Sequence, residues 1–258
     1  MNNLLKLRET WPGAALLLAL LVAWEVVAQK EASPYFPDVL TVLSTLWASH
    51  SMLLQGMGIT LWRAGAGLLL AMVTMLPLGM FIGRVRAVGD FIEPVFDMMR
   101  PLPPLAIIPV VMLFAGVGSA AKIMVVFYSV VFPIVLSTAD AVRSAHPMLS
   151  NVGRSLRMSR REIMLEIDLP AALPQVVVGI RISVALALLV SVSSEMLLST
   201  DGIGNIVMRA QQEFRIALGI AALLVIAATA LIVNSIVVQI ERRALRWHFA
   251  WQAAGRLN

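Results

Sequence analysis

The sequence predicts an all-α polytopic membrane protein with about six transmembrane helices, and three observations carry this prediction. Hydrophobic residues make up 59% of the 258 positions, and mean hydropathy is +0.86. Charged residues make up only 14%, against about 25% in soluble domains, so a soluble fold would expose too much apolar surface. Apolar runs long enough to cross a bilayer, which takes about 20 helical residues, recur along the chain.

The N-terminal stretch predicts an anchor helix and then an interfacial helix. Lys6 and Arg8 precede an apolar run over 14–28. A cleaved signal peptide has the same layout, but we favour a retained anchor because the rest of the chain crosses the membrane in any case. Apolar residues over 39–47 share one side of a helix too short to cross, which predicts a position on the outer membrane surface.

The second crossing is predicted over 64–83, which is uncharged and about one bilayer long. Small residues at a helix surface let neighbouring helices approach closely. Four glycines in this run should therefore lie at helix contacts: Gly65, Gly67, Gly79 and Gly83.

Two crossings are predicted over 101–139, which carries a single charge, with a turn at 116–119. The first of the pair contains Pro103, Pro104 and Pro109. Prolines free backbone carbonyls, and inside a membrane these must face protein or a water-filled cavity. A helix that lines a pathway and a merely kinked helix both fit this pattern.

The last two crossings are predicted over 169–198 and 216–240, with 199–215 as an outer loop between them. Thirteen of the twenty Lys and Arg residues then fall in inner loops and tails, and two more lie at inner helix ends, which leaves five elsewhere. Because positive charge accumulates on the cytoplasmic side, both termini and residues 143–168 are predicted to be cytoplasmic.

Composition also excludes several classes of function. The pI of 10.4 follows from this charge bias and does not indicate nucleic-acid binding. The chain has no cysteine, and its three histidines show no metal-ligand spacing. No G-x-x-x-x-G-K-[ST] sequence occurs, so energy must come from a partner or an ion gradient. No nucleophile–base set supports an enzyme.

The stretch 144–181 is the most polar part of the chain and predicts two short helices at the membrane surface. The first follows Pro147, which fits the first position of a helix, and carries an apolar stripe over 149–156. The second starts at Arg160, because an S-x-x-E capping box occupies 159–162. Such a pair makes a docking platform for a partner.

The same stretch resembles the cytoplasmic coupling loop of ATP-binding-cassette importer permeases, the binding-protein-dependent inner-membrane component. In that family the loop reads roughly E-A-A-x-x-x-G, a spacer, then an aliphatic residue and L-P. Here Asn151-Val152-Gly153 stands in place of E-A-A, and Arg157 stands where a glycine is common for its backbone freedom. The pattern is kept by Ser155-Leu156, Ser159, Leu169–Pro174 and Gly179–Arg181.

Three further features resemble the nitrate/sulfonate/taurine branch of these permeases. They are Arg100–Ala106 with Ile108-Pro109, Gly116–Gly118 followed by Lys122, and Ser194–Leu197 with Gly202–Gly204. Their order and spacing together make the resemblance specific, and it extends over about 34–246.

The resemblance implies a type I importer permease core over 56–246, after an N-terminal unit over 1–55 and before a cytoplasmic tail over 247–258. It implies a homodimer in the lipid of a bacterial inner membrane, two cytoplasmic ATPase subunits and an external solute-binding protein, without nucleic acid. ATP and Mg would bind the partner ATPases, and no cofactor would bind this chain. Substrates of this branch are small, such as nitrate, sulfonates, taurine and cyanate, and in some members pyrimidines or flavins.

Two sets of candidate site residues follow. The set expected to couple the chain to the ATPase is Asn151, Val152, Gly153, Arg154, Leu156, Arg157, Ser159 and Arg160. The set expected to line a translocation path is Pro103, Pro104, Pro109, Ser183, Ser191, Ser194 and Glu195. The serines give an apolar span a polar stripe, although their hydroxyls could simply bond back to their own helix.

The alternative function is a self-sufficient secondary transporter or channel. That class would need buried ionisable groups near the membrane midplane, whereas the few charges within spans lie toward the ends. Glu195 lies about 31 Å along a helix from Pro174, so a solvated carboxylate at the outer interface is the simpler interpretation. Arg63, Lys122 and Arg209 near the outer mouth would favour an anionic solute.

Overall fold

The computed structural model describes residues 2–31, 35–144, 152–198 and 200–246, and every regular element among them is helical. The main helices are α1 (Asn2–Glu31), α2 (Val39–Ala48), α3 (His50–Arg84), α4 (Arg86–Met99), α5 (Ile108–Ala115), α6 (Ser119–Ser144), α7 (Leu169–Leu198), α8 (Ile203–Gln212) and α9 (Ile216–Ala244). A 3₁₀ turn, Pro104–Ile107, leads into α5. The short helix Arg160–Glu162 and a π-helical segment, Ile163–Asp168, lead into α7.

Four helices among the described residues are long and apolar enough to cross a membrane: α3, α6, α7 with the end of the π-helical segment, and α9. The pair formed by α4 and the segment Pro104–Ala115 is bent by 85° and makes a fifth crossing if it is one broken span. The predicted all-helical polytopic class is confirmed, whereas the count of six stays a prediction.

The bundle has two ends that the site descriptions use. At one end, called the loop end below, α3 and α6 finish and α7 begins beside residues 152–168. At the opposite end, α6 begins, α7 finishes, and α8 lies between α7 and α9. The short helix predicted over 39–47 is present as α2, which is too short to cross.

The crossing predicted over 101–115 is wrong in its form. Instead of one long helix, the chain forms the 3₁₀ turn and the eight-residue α5, which is about 12 Å long. Pro103 and Pro104 cannot donate to a helical hydrogen-bond ladder, and Pro109 lies in the first turn of α5, where its missing N–H is harmless.

Two helices were not predicted from the sequence. Residues 86–99 form α4, and residues 203–212 form α8 within the stretch predicted as an outer loop. Each is amphipathic, and α8 buries Ile203, Gly204 and Val207 against the bundle. The turn predicted at 116–119 is confirmed, because α5 ends at Ala115 and Gly116 adopts a φ of 70°.

Glycines bring α3 against α6. A Cβ atom added to Gly67 would lie 2.7 Å from Val126 Cγ1, one on Gly79 2.7 Å from Thr138 Cβ, and one on Gly83 2.7 Å from the Ala139 carbonyl oxygen. The prediction of close helix approach is confirmed at these three positions. It does not hold within the described part of this chain for Gly65, whose added Cβ would meet no atom of it within 4 Å.

Candidate functional site

The first short helix predicted for the loop, after Pro147, lies partly outside the described residues, which resume at 152 with one helical turn over 152–155 that is closed by backbone hydrogen bonds. The Met158 N–H donates to the Gly153 carbonyl, and the Arg157 N–H donates to the Arg154 carbonyl, each over 3.0 Å. This is the Schellman pattern, which places a left-handed residue after the helix. Arg157 takes that position with a φ of 60°, so it occupies a conformation that usually favours glycine.

The capping box predicted before the second short helix is present. The Glu162 carboxylate accepts the Ser159 backbone N–H over 2.6 Å, and the Glu162 N–H donates to the Ser159 hydroxyl over 3.2 Å. The bond from the Ser159 backbone N–H, followed by that with the Ser159 side chain, lowers the pKa of Glu162. The helix starts at Arg160 as predicted.

Two features hold this loop to the bundle. Gly153 packs on the π-helical segment, since a Cβ there would lie 2.8 Å from Ile167 Cδ1 and 3.0 Å from Ile163 Cγ1. Asp168, which is buried, forms an ion pair with Arg84 at the end of α3. The loop therefore packs on the segment that leads into α7, and the end of that segment is paired with α3.

The loop presents apolar side chains to its surroundings. Leu156 is 71% exposed and Val152 is 49% exposed, and Arg154 and Arg157 are exposed beside them. Asn151 lies outside the described residues, and the side chain of Arg160 is likewise not described. An exposed leucine flanked by charged side chains can insert into a partner's groove.

A second cluster lies at the opposite end and is built around a buried ion pair. Arg63 on α3 and Glu195 on α7 are 1% and 0% exposed, and Arg63 Nη1 lies 2.9 Å from Glu195 Oε1. Arg63 Nη2 also lies 2.7 Å from Asp201 Oδ1. The Ser119 hydroxyl at the start of α6 accepts from the same guanidinium over 3.0 Å.

The other oxygen of Glu195 holds the start of α8. Glu195 Oε2 accepts the Thr60 hydroxyl over 2.7 Å and the Gly204 N–H over 3.2 Å, while the Ile203 N–H donates to Thr60 Oγ1 over 3.1 Å. Thr60, Gly204 and, at the first oxygen, Arg63 all donate hydrogen bonds to this carboxylate. Gly202 permits this approach with a φ of 89°. The cluster closes the opposite end of the bundle by clamping α8 onto α3 and α7.

This geometry corrects two interpretations of the sequence. Glu195 is not a solvated carboxylate, because its charge is neutralised in the interior by Arg63. Arg63 and Lys122 do not face an open mouth, since they are 1% and 7% exposed. Of the three cations expected there, Arg209 is exposed.

A groove of about 670 Å³ opens between α4, α6 and α7 toward the loop end. Its lining mixes acidic, aromatic and amide groups, including Asp97, Tyr128, Asp140 and Gln175. The Tyr128 hydroxyl donates to the Met99 carbonyl over 2.8 Å and so joins α6 to the end of α4. The groove can take a small polar solute.

Two faces of α7 have different surroundings. The face toward the groove carries Gln175, Val178, Ile182 and Leu186. The predicted path residues on this helix, Ser183, Ser191, Ser194 and Glu195, are buried in the bundle instead. The hydroxyls of Ser183 and Ser194 bond back to their own helix, and that of Ser191 donates to the Thr60 carbonyl.

The predicted path prolines fall partly at the groove. Pro104 lines it, whereas Pro103 and Pro109 are exposed. The assignment of both predicted residue sets to coupling and to a path stays a prediction.

The described residues hold four helices long and apolar enough to cross a membrane, a broken helix pair beside a polar groove and a loop with an exposed leucine, and together these indicate a polytopic membrane transport subunit. Residues 75–246 match the family described as binding-protein-dependent transport system inner membrane component, and the chain belongs to that family. The predicted resemblance to permease subunits of ATP-binding-cassette importers, in the nitrate/sulfonate/taurine branch, is confirmed.

Relatives and a solved structure agree with this family. The chain is 27% identical to the taurine transport system permease protein TauC of Escherichia coli K12, over 94% of each chain. It is 31% identical to the bicarbonate transport system permease protein CmpB of Synechococcus elongatus, over 72% of this chain and 68% of that one. The methionine ABC transporter MetNI, in inward facing conformations, aligns with a TM-score of 0.68 at 16% identity, over 76% of this chain and 98% of that chain, which shows a shared fold.

Proposed function

We propose that residues 152–160 seat the chain on a cytoplasmic ATPase subunit and receive the movement that ATP hydrolysis produces there. The exposure of Leu156 on a loop fixed by the Asp168–Arg84 pair carries this proposal. Burying such an anchor stabilises a complex by roughly 1.5–3 kcal/mol. Arg154 and Arg157 would pair with acids at the rim of the ATPase groove.

The proposed assembly contains two copies of this chain, two ATPase subunits that bind ATP and Mg, and an external solute-binding protein. The loop end faces the cytoplasm, together with both termini. The excess of Lys and Arg in the loops and tails predicted to be inner supports this orientation. The family itself is defined by dependence on a binding protein.

The proposed translocation path runs along the groove between α4, α6 and α7, and the second copy closes its open side. Glu93, Asp97 and Asp140 line this groove with Arg100 and Arg143, so both signs of charge are present. A mixed lining favours a small solute that carries both a positive and a negative group over a bare anion.

The docking proposal is tested by co-purification in mild detergent from cells that express the chain with its ATPase. Leu156→Asp should lose the ATPase, because it places a carboxylate in an apolar contact. Leu156→Met is the matched control, since it keeps an apolar side chain of similar volume, and it should retain the ATPase. Retention of the ATPase by Leu156→Asp at the wild-type level would reject the docking site.

A further inference from the structure

A narrow slot of about 360 Å³ lies between α7 and α9, apart from the groove described above. Its walls are almost entirely apolar, with Leu188 and Val192 on α7 facing Ile226 and Val233 on α9. Along α7 it runs for twelve residues from Arg181, which is about 18 Å. An apolar slot of this length in a membrane protein suits a hydrocarbon chain, because an empty slot forfeits dispersion contacts and its walls offer water few partners.

The end of the slot nearer the loop end is charged. Arg181 lines the slot and is 46% exposed, and its Nη1 lies 3.6 Å from Glu241 Oε2. At that distance the pair attracts without a hydrogen bond. Glu241 Oε2 is buried and accepts no hydrogen bond from any described residue. A buried carboxylate oxygen without a donor is costly, so the site lacks a donor that something else can supply.

The depth of this charged end matches that of lipid headgroups. Glu241 directly follows the uncharged run of α9 over 216–240, and Arg242 and Arg243 come next. Charges that begin where such a run ends mark the membrane interface. The slot therefore extends from headgroup level into the bilayer interior.

We propose that this slot binds phosphatidylethanolamine from the leaflet at the loop end. One acyl chain fills the apolar slot, the phosphate accepts hydrogen bonds from Arg181, and the primary ammonium donates to Glu241 Oε2. Phosphatidylcholine carries the same phosphate but its quaternary ammonium has no N–H to donate. Phosphatidylglycerol has no ammonium. This site is separate from the proposed solute path and does not depend on it.

Native mass spectrometry of the detergent-purified full chain tests the proposal, with the three lipids added singly and carrying identical acyl chains. Phosphatidylethanolamine should bind one to one and about tenfold more tightly than either of the others, as expected for a hydrogen bond to a buried charge. Glu241→Leu, which removes the acceptor oxygen, should abolish that preference, whereas Arg181→Gln and the slot-filling Ala230→Phe should reduce the binding of all three lipids. Arg243→Gln, a matched charge removal at an exposed position on α9, should leave the preference intact.

Equal binding of phosphatidylethanolamine and phosphatidylcholine overturns the proposal, as does tighter binding of phosphatidylglycerol. A preference that survives Glu241→Leu also overturns it. So does a dimer that Ala230→Phe disrupts, because the slot would then hold a second copy of the chain. Size-exclusion profiles that match the wild type confirm that each variant is folded.

Discussion

Replacing Glu195 with Gln should release α8 from the rest of the bundle. The carboxylate accepts from Thr60, Arg63 and Gly204, so every group that faces it is a donor. The amide oxygen of Gln can still accept from Thr60 and Gly204, but its NH₂ group then faces the guanidinium as a second donor. Arg63 keeps its contact with Asp201, so it is not left entirely unpaired.

The expected magnitude follows from the burial of this pair. Removing one partner of a buried ion pair costs roughly 3–5 kcal/mol, and the retained Asp201 contact favours the lower value. A loss of about 3 kcal/mol corresponds to a change of roughly 10²-fold in a local opening equilibrium. Hydrogen-exchange mass spectrometry of residues 200–212 measures this opening directly.

A matched control lies in the same region of the chain. Glu213 pairs with Arg215 over 3.6 Å with both side chains more than half exposed, so Glu213→Gln should change exchange by about twofold at most. Adding Arg63→Met to Glu195→Gln removes the uncompensated charge. The free energy that holds α8 closed should therefore fall by less in the double variant than the sum of its decreases in the two single variants. Unchanged exchange of residues 200–212 in Glu195→Gln would refute the clamp.

Three further predictions concern helix contacts and the loop. Gly79→Val should destabilise the detergent-solubilised chain by about 1–3 kcal/mol or more in thermal unfolding, because its side chain meets α6; Gly65→Val, which meets open space, should not. Arg157→Gly should slow amide exchange at Met158 by relieving a left-handed conformation that costs a non-glycine residue roughly 1–2 kcal/mol; faster exchange would contradict the assigned turn. Because the pKa of Glu162 is lowered, its capping interaction with Ser159 stabilises the helix start at neutral pH, and this stabilisation is lost as pH falls through the lowered pKa. The difference in Ser159 amide exchange between wild type and Glu162→Gln should vanish over the same pH range, and a difference that persists in acid would exclude the capping role.

The crossings were predictable because a bilayer imposes one length on every helix that spans it. The run over 119–139, whose one charge is Lys122, and the uncharged run over 216–240 fall within α6 and α9 for this reason. The helix α4 was missed because the stretch between the crossings predicted over 64–83 and 101–139 was given no element. Its apolar residues Phe91, Ile92, Val95 and Phe96 recur at helical spacing, which was an available signal.

The loop was predictable because its determinants are local. A capping box joins residues three apart, and the apolar pair Val152 and Leu156 lies four apart, so periodicity alone places them. The left-handed Arg157 was not predictable from its own residue type, since only the family pattern places a glycine there. Arg157 adopts the left-handed conformation at a position where glycine is common in the family, which shows that the surrounding hydrogen bonds determine the turn.

The buried cluster could not be predicted from helical periodicity, because periodicity does not compare residues on different helices. Arg63 and Glu195 lie 132 residues apart in the chain, and the charge rule counts each arginine as though it faced water. Arg63 immediately precedes one predicted crossing and Glu195 lies near the outer end of another, so the sequence already placed both at the same depth. An unpaired charge within a membrane is costly, and opposite charges at one depth on neighbouring helices should therefore be paired first. The same reasoning joins Arg181 to Glu241, where one buried carboxylate oxygen has no hydrogen-bond donor among the described residues.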